Sequence, residues 1–183
     1  MLYTAYEVHQ RLNWPARTTS ELLGGALERL PGPVAALPAP RRLKAACRIV
    51  AKARPTHVHP AWGIDSVTVQ GQPTEVVVRP VLTTPFATLL HFAKPTVSGQ
   101  PRTLLIGPIS GHFATLLRPT VQTLLADHDV FVLDWHNARD IPVAEGRFGL
   151  DEYIDHVLQA MRYLGPDHHA LAVCQPAPLV LAA

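Results

Sequence analysis

The stretch 103–106 (TLLI), followed by Gly107 and Pro108, opens a regular alternation of apolar runs and helical patterns. A helical pattern covers 113–125, and a second apolar run, 130–133 (VFVL), comes next. Pro119 lies inside that helical pattern. Because proline lacks an N–H and fits the first turn of a helix, we expect a kink or a new first turn there.

The alternation continues to residue 174. The helical pattern 151–164 begins at Asp151, a good N-cap residue, and Gly165 with Pro166 supplies its stop. A third apolar run, 170–173 (ALAV), leads directly into Cys174. Apolar strands that alternate with amphipathic helices indicate a sheet covered on both faces. The sequence therefore predicts an α/β fold with a mostly parallel sheet over 61–183.

Shorter β-strands are predicted upstream of this alternation. The β-branched runs 67–69 (VTV) and 76–78 (VVV) flank a turn-like stretch with Gly71 and Pro73, which predicts a hairpin. Residues 86–92 are expected to add a third strand.

Residues 1–60 form a different region, which we expect to be a basic, helical N-terminal extension. A proline-rich linker, 31–40 (PGPVAALPAP), separates a helical start from a second helix running from Arg41 to about Ala53. Leu43, Cys47 and Val50 share one face of that helix, so we expect Cys47 to be a small buried hydrophobe.

The charge is distributed unevenly between the two regions. Residues 1–60 carry nine Lys or Arg and three Asp or Glu, a formal charge of +6. Residues 61–183 carry seven and eleven, a formal charge of −4. The basic region fits an anionic surface such as lipid or nucleic acid, and it fits a solvated basic helix equally well. No nucleic-acid-binding motif accompanies it.

Three features of the sequence indicate the cellular compartment of the protein. No apolar run approaches the roughly 18 residues that cross a bilayer. The start, 1–7 (MLYTAYE), lacks the basic and apolar regions of a secretory signal. Two cysteines are too few for a disulfide framework. These features predict an intracellular, cytoplasmic protein.

Cys174 is the residue with the clearest chemical interest. Reactive groups of open α/β sheets gather at the carboxyl ends of strands, and a sharp strand-to-helix turn there forms a nucleophile elbow. The usual elbow is G-x-S-x-G, whereas Ala172 and Pro176 occupy the glycine positions here. Taken alone, this position fits a buried structural cysteine better than a nucleophile.

Several longer blocks of sequence change that interpretation. They are the opening Met1-Leu2-Tyr3 with Glu7 and Pro15, then 108–118 (PISGHFATLLR), 134–139 (DWHNAR), 142–146 (PVAEG) and 173–176 (VCQP). In this order, the blocks resemble intracellular poly(3-hydroxybutyrate) and other polyhydroxyalkanoate depolymerases over nearly the full chain. That family has an α/β-hydrolase fold in which a cysteine replaces the serine of the lipase-type box. Pro119, in place of a polar helix residue, is a local departure.

The resemblance implies roles for individual residues. Cys174 would be the nucleophile that hydrolyses the ester bonds of a stored polyester, without cofactor or metal. The oxyanion would be bound by the backbone N–H of Gln175 and by that of Ile109 or Ser110, in the loop after the first parallel strand.

The remaining catalytic groups are expected later in the chain. The catalytic acid and histidine of this fold follow the nucleophile, but none of the ten histidines follows residue 174. We therefore expect a hydrolase domain truncated after its elbow and inactive alone. His112 is on the wrong side of Cys174 to be the base, and His168 with His169 lacks further ligands at zinc-like spacing. For Asp134 and Trp135, at a strand end, structural roles are favoured over substrate contact.

Two alternatives remain open at the level of sequence. A polyhydroxyalkanoate synthase-like acyltransferase also uses cysteine, although synthases favour G-x-C-x-G, which is absent here. The other alternative is a non-catalytic protein that binds polyester granules through its basic N-terminal region. In every version the partner is the surface of a cytoplasmic storage granule rather than nucleic acid. The substrate-binding residues are not identified.

Overall fold

A computed structural model of the chain describes residues 2–53, 59–109 and 113–183. The chain divides into two compact units, residues 1–57 and 58–183. We call them the helical unit and the α/β unit.

In residues 2–53, the helical unit forms four helices, α1 (Leu2–Leu12), α2 (Trp14–Glu28), α3 (Gly32–Ala35) and α4 (Pro38–Lys52). Helix α4 begins three residues before the Arg41 start that the sequence predicts. Proline tolerates the first helical turn because the N–H it lacks would have no partner there, so Pro38 and Pro40 begin the helix. Cys47 is buried, as predicted.

The described residues of the α/β unit, 59–109 and 113–183, form a two-stranded hairpin, a five-stranded sheet and three helices. Its strands are β1 (Ser66–Val69), β2 (Gln72–Glu75), β3 (Val77–Thr83), β4 (Ala87–Ala93), β5 (Arg102–Ile106), β6 (Asp129–Trp135) and β7 (His168–Ala172). Its helices are α5 (Arg118–Leu124), α6 (Leu150–Leu164) and α7 (Ala177–Ala182), with 3₁₀ turns at Ala114–Leu117 and Val143–Glu145.

The large sheet is mixed, with the strand order β3-β4-β6-β5-β7. Strand β5 pairs in parallel with β6 and β7, whereas the pairs β3–β4 and β4–β6 are antiparallel. The prediction of an α/β fold is confirmed, but that of a mostly parallel sheet is wrong. Only residues 84–86 join β3 to β4, and a connection this short forces antiparallel pairing.

The predicted hairpin has a different second strand. Strand β1 pairs with β2, joining Val69 to Gln72 across a two-residue turn in which Gln70 and Gly71 both have positive φ. Such turns match the twist of a hairpin. Val77 and Val78 instead begin β3. The third predicted strand, 86–92, is confirmed as β4.

Two helix starts refine the sequence prediction. A 3₁₀ turn precedes α5, and Pro119 lies in the first turn of α5, as expected. Leu116 lies in this 3₁₀ turn and is exposed. Helix α6 is capped at Gly149 rather than at Asp151, because the Glu152 carboxylate accepts the Gly149 N–H at 2.7 Å. Gly165 ends α6 with a φ of 73°, as predicted.

Each face of the large sheet has its own apolar layer. On one face, Leu105 and Val132 pack with Val121 of α5. On the other face, Leu104 and Phe131 belong to the same cluster as Val157 of α6. Helices α5 and α6 therefore cover opposite faces. This is expected for right-handed crossovers that run in opposite directions across the sheet, from β5 to β6 and then from β6 back past β5 to β7.

Candidate functional site

Cys174 lies in a sharp turn between β7 and α7. The Val173 N–H donates to the Ile106 carbonyl at 3.1 Å, so the pairing with β5 continues to the residue before the cysteine. Cys174 itself has a φ of 69°, and its carbonyl accepts the Ala177 N–H at 3.1 Å. Its side chain is exposed. A left-handed φ at a residue with a Cβ is strained, and such strain often marks a functional position.

This turn lies where open α/β sheets form a ligand-binding crevice. Helix α5, which follows β5, packs on one face of the sheet, whereas Leu179 and Val180 of α7, which follows β7, pack on the other. Two adjacent parallel strands whose connections leave toward opposite faces define a topological switch point. Ligands of open α/β sheets bind beside such a point, at the carboxyl ends of the strands.

The loop after β5 contains the other predicted oxyanion donors. Gly107 packs tightly here: a Cβ at this position would lie 3.4 Å from Cδ1 of Leu117, and its carbonyl accepts the Trp135 indole N–H at 3.2 Å. Ile109 is half-buried and packs against the cluster on the α6 face. Ser110 lies outside the described residues, as does His112.

The second predicted donor group belongs to Gln175. Its side chain is exposed, while the next residue, Pro176, is fully buried. Among the described parts of the chain, no hydrogen-bond acceptor faces the Gln175 N–H. This amide is therefore available for a ligand oxygen beside the Cys174 thiol.

A histidine–carboxylate pair that the sequence did not suggest lies at the same edge of the sheet. His59 Nε2 lies 2.9 Å from Oδ2 of the buried Asp134, and its Nδ1 lies 2.8 Å from the Pro60 carbonyl. The ring also contacts Phe113, with 4.6 Å between ring centroids. Both ring nitrogens are therefore engaged with oxygen atoms. The two partners are 75 residues apart in the chain, so no local pattern reveals the pair.

An apolar cleft of about 200 Å³ opens beside the loop after β5. Its lining combines Ile109 and Phe86 with residues from the segment after β6. That segment contributes His136, Ala138, Ile141, Pro142, Val143, Gly146 and Phe148. His136 bonds Thr88 Oγ1 at 2.8 Å and the Pro85 carbonyl at 2.9 Å, so both its nitrogens are engaged. Among the described residues that line it, none is Asp, Glu, Lys or Arg, so the cleft suits an uncharged group.

Other histidines have structural contacts. His168 Nδ1 lies 2.7 Å from the Gly165 carbonyl, at the start of β7. Within residues 2–53, 59–109 and 113–183, no group of three or more His, Cys, Asp or Glu side chains is placed to hold a metal ion. Trp135 is buried and donates its indole N–H to the Gly107 carbonyl, and Asp134 bonds His59.

Comparisons with family models, curated proteins and solved structures give no match for this chain. In the part of the chain that the structure describes, no helix is long and apolar enough to span a membrane. The class of the protein therefore rests on its own fold and site, a mixed α/β unit with a strained cysteine beside a switch point.

Proposed function

We propose that the protein is an α/β-hydrolase-type carboxylic ester hydrolase of the intracellular polyhydroxyalkanoate depolymerase kind, with Cys174 as its nucleophile. The observation that carries the proposal is the exposed thiol at a left-handed φ of 69°, between a strand and a helix at the switch point of the sheet. A buried structural cysteine, the competing interpretation, would not present its sulfur to a ligand.

The reaction follows from the groups around this thiol. Cys174 Sγ bonds to the ester carbonyl carbon, and the resulting oxyanion is stabilised by the N–H groups of Gln175 and Ile109. The bond from that carbon to the alkoxy oxygen then breaks, and the alcohol end leaves with the proton from the thiol. Water attacks the thioester, releasing the acid and restoring the thiol.

The cleft supports an apolar acyl group as the bound part of the substrate. Ile109 lines the cleft and belongs to the loop of the proposed oxyanion site. It also shares one apolar cluster with Phe148 in the cleft wall and with Leu179 of α7, the helix after Cys174. A hydroxyacyl unit of a polyester is uncharged and fits such a surface, whereas a charged acyl group would lose its hydration there.

Hydrolysis of the thioester needs a base that activates water, and hydrolases of this fold place the acid and the histidine after the nucleophile. Residues 175–183 (QPAPLVLAA) contain neither, and both nitrogens of His59 in the pair His59–Asp134 are engaged. When these 183 residues are tested, we therefore expect Cys174 to be acylated faster than its thioester is hydrolysed.

Hydrolysis of amorphous poly(3-hydroxybutyrate) by the full-length gene product tests the function. We expect Cys174→Ala to abolish hydrolysis while leaving the circular dichroism spectrum unchanged. Cys47→Ala is the matched control and should retain activity, because Cys47 is buried in the helical unit. Near-normal hydrolysis by Cys174→Ala would exclude the assigned nucleophile.

A further inference from the structure

The helical unit buries very little of its apolar surface. Among the residues of this unit whose burial the structure describes (5–6, 8–34 and 36–53), only Gly24 of α2 and Cys47 of α4 are buried. A unit of fewer than 60 residues has marginal stability even with a well-formed core. Most of the apolar side chains in this unit therefore have another role than forming its own core.

Helices α2 and α4 contact each other through small and charged residues. A Cβ on Gly24 would lie 3.7 Å from the Cβ of Cys47. Glu28 of α2 lies 2.5 Å from Arg48 and 3.4 Å from Lys44 of α4. The hydrogen bond from Arg48 is the main reason why the pKa of Glu28 lies below its ordinary value. Polar contacts thus occupy the face that usually buries leucines.

The large apolar side chains are instead exposed. Leu22 of α2 and Ile49 of α4 are each 71% exposed. Others that are more than half exposed are Val8, Leu12, Trp14 and Leu37. Single exposed apolar residues are common on protein surfaces, but six of them, each more than half exposed, lie within residues 8–49, and this density favours contact with an apolar partner.

The charge of residues 1–60 indicates which kind of apolar partner this surface would bind. Residues 1–60 carry a formal charge of +6, and Arg41 and Arg42 at the start of α4 are exposed. A second copy of the unit would bring two such charges together. A nucleic acid would match the charge but would not cover leucines. An anionic lipid surface provides both an apolar interior and negative headgroups.

We propose that the helical unit binds an anionic lipid surface, inserting its exposed leucine and isoleucine side chains while its arginines contact the headgroups. This inference does not depend on the proposed esterase reaction, because none of its residues belongs to the α/β unit. If the protein hydrolyses stored polyester, the same unit supplies the attachment to a lipid-coated granule.

Cosedimentation of the whole 183-residue chain with vesicles tests the inference. One set of vesicles contains phosphatidylcholine alone, and the other contains about one third phosphatidylglycerol. We expect clear binding to the anionic vesicles and much weaker binding to the zwitterionic ones, with the difference shrinking at high salt. The double variant Arg41→Glu/Arg42→Glu should bind the anionic vesicles at least 25-fold more weakly, since each basic residue near such a surface contributes roughly fivefold.

A second double variant tests insertion separately from charge. Leu22→Gln/Ile49→Gln removes two apolar side chains without changing the charge and should lose at least tenfold in affinity, whereas Leu150→Gln, 68% exposed in the α/β unit, should bind as the wild type does. Circular dichroism confirms that each variant keeps its helices. Equal binding to both vesicle types, or unchanged binding of Leu22→Gln/Ile49→Gln, would overturn the inference. So would the binding of duplex DNA, or formation of a dimer through these helices, without vesicle binding.

Discussion

Replacing Cys174 with glycine should stabilise the protein, although it removes the proposed nucleophile. A residue with a Cβ at a left-handed φ costs about 1–2 kcal/mol, and glycine at this φ of 69° relieves that cost. Glycine also makes the unfolded chain more flexible, which costs roughly 0.5–1 kcal/mol. The Cys174 side chain is exposed and contributes little packing. The net gain expected for Cys174→Gly is about 0–1.5 kcal/mol, with a middle value of about 0.7 kcal/mol.

Urea unfolding of two glycine variants measures this gain against a matched control. Ala172→Gly lies two residues earlier, in β7, where glycine only adds flexibility to the unfolded chain. It should lower the free energy of unfolding by roughly 0.5–1 kcal/mol. Cys174→Ala keeps the Cβ and should unfold at nearly the wild-type urea concentration. Equal destabilisation by both glycine variants would show that the backbone at Cys174 is not strained, and the elbow geometry would then be wrong.

Three further predictions concern packing, capping and the cleft. Lys94 is buried and donates to the carbonyls of Leu125 and His128 after α5, so Lys94→Met should lower the free energy of unfolding by about 2 kcal/mol; an unchanged urea midpoint would contradict this. Backbone N–H groups, first its own and then that of the α6 cap, hold the pKa of Glu152 below its ordinary value. The stability that the Glu152 carboxylate contributes is therefore present above pH ~4.3 and is lost as the pH falls through the lower folded-state pKa. In that acid range, the melting temperature of Glu152→Gln should depend less on pH than that of the wild type. Phe148→Ala should enlarge the cleft and shift the ratio of octanoyl to butyryl transfer from activated esters by about tenfold toward octanoyl, and an unchanged ratio would remove the cleft from the acyl site.

The strand and helix pattern of the α/β unit was predictable because apolar periodicity is a local property of the sequence. The runs 103–106, 130–133 and 170–173 all became strands, and the helix pattern 151–164 became α6. Strand direction is not local. The antiparallel pairing of β4 with β6 joins residues 87–92 to residues 130–135. The apolar periodicity within either run does not indicate the direction of this pairing.

The candidate site was predictable in the same uneven way. The position of Cys174 followed from a strand that ends in a cysteine, a signal read from five consecutive residues. Its strained backbone, the pair His59–Asp134 and the cleft around Phe148 depend on contacts between distant segments. The exposure of the leucines in the helical unit could not be predicted from the sequence, for a related reason. An amphipathic pattern predicts that a helix has an apolar face, but not whether that face is covered.

The central claim, that Cys174 is a nucleophile, is tested most directly by the mass of the chain after brief exposure to p-nitrophenyl butyrate. The ester should add one butyryl group, releasing one equivalent of p-nitrophenolate, and peptide mapping should place the group on Cys174. Cys174→Ala should remain unmodified, and the buried Cys47 should not react in either protein. Acylation of Cys47 instead of Cys174, or none at either residue, would contradict the claim.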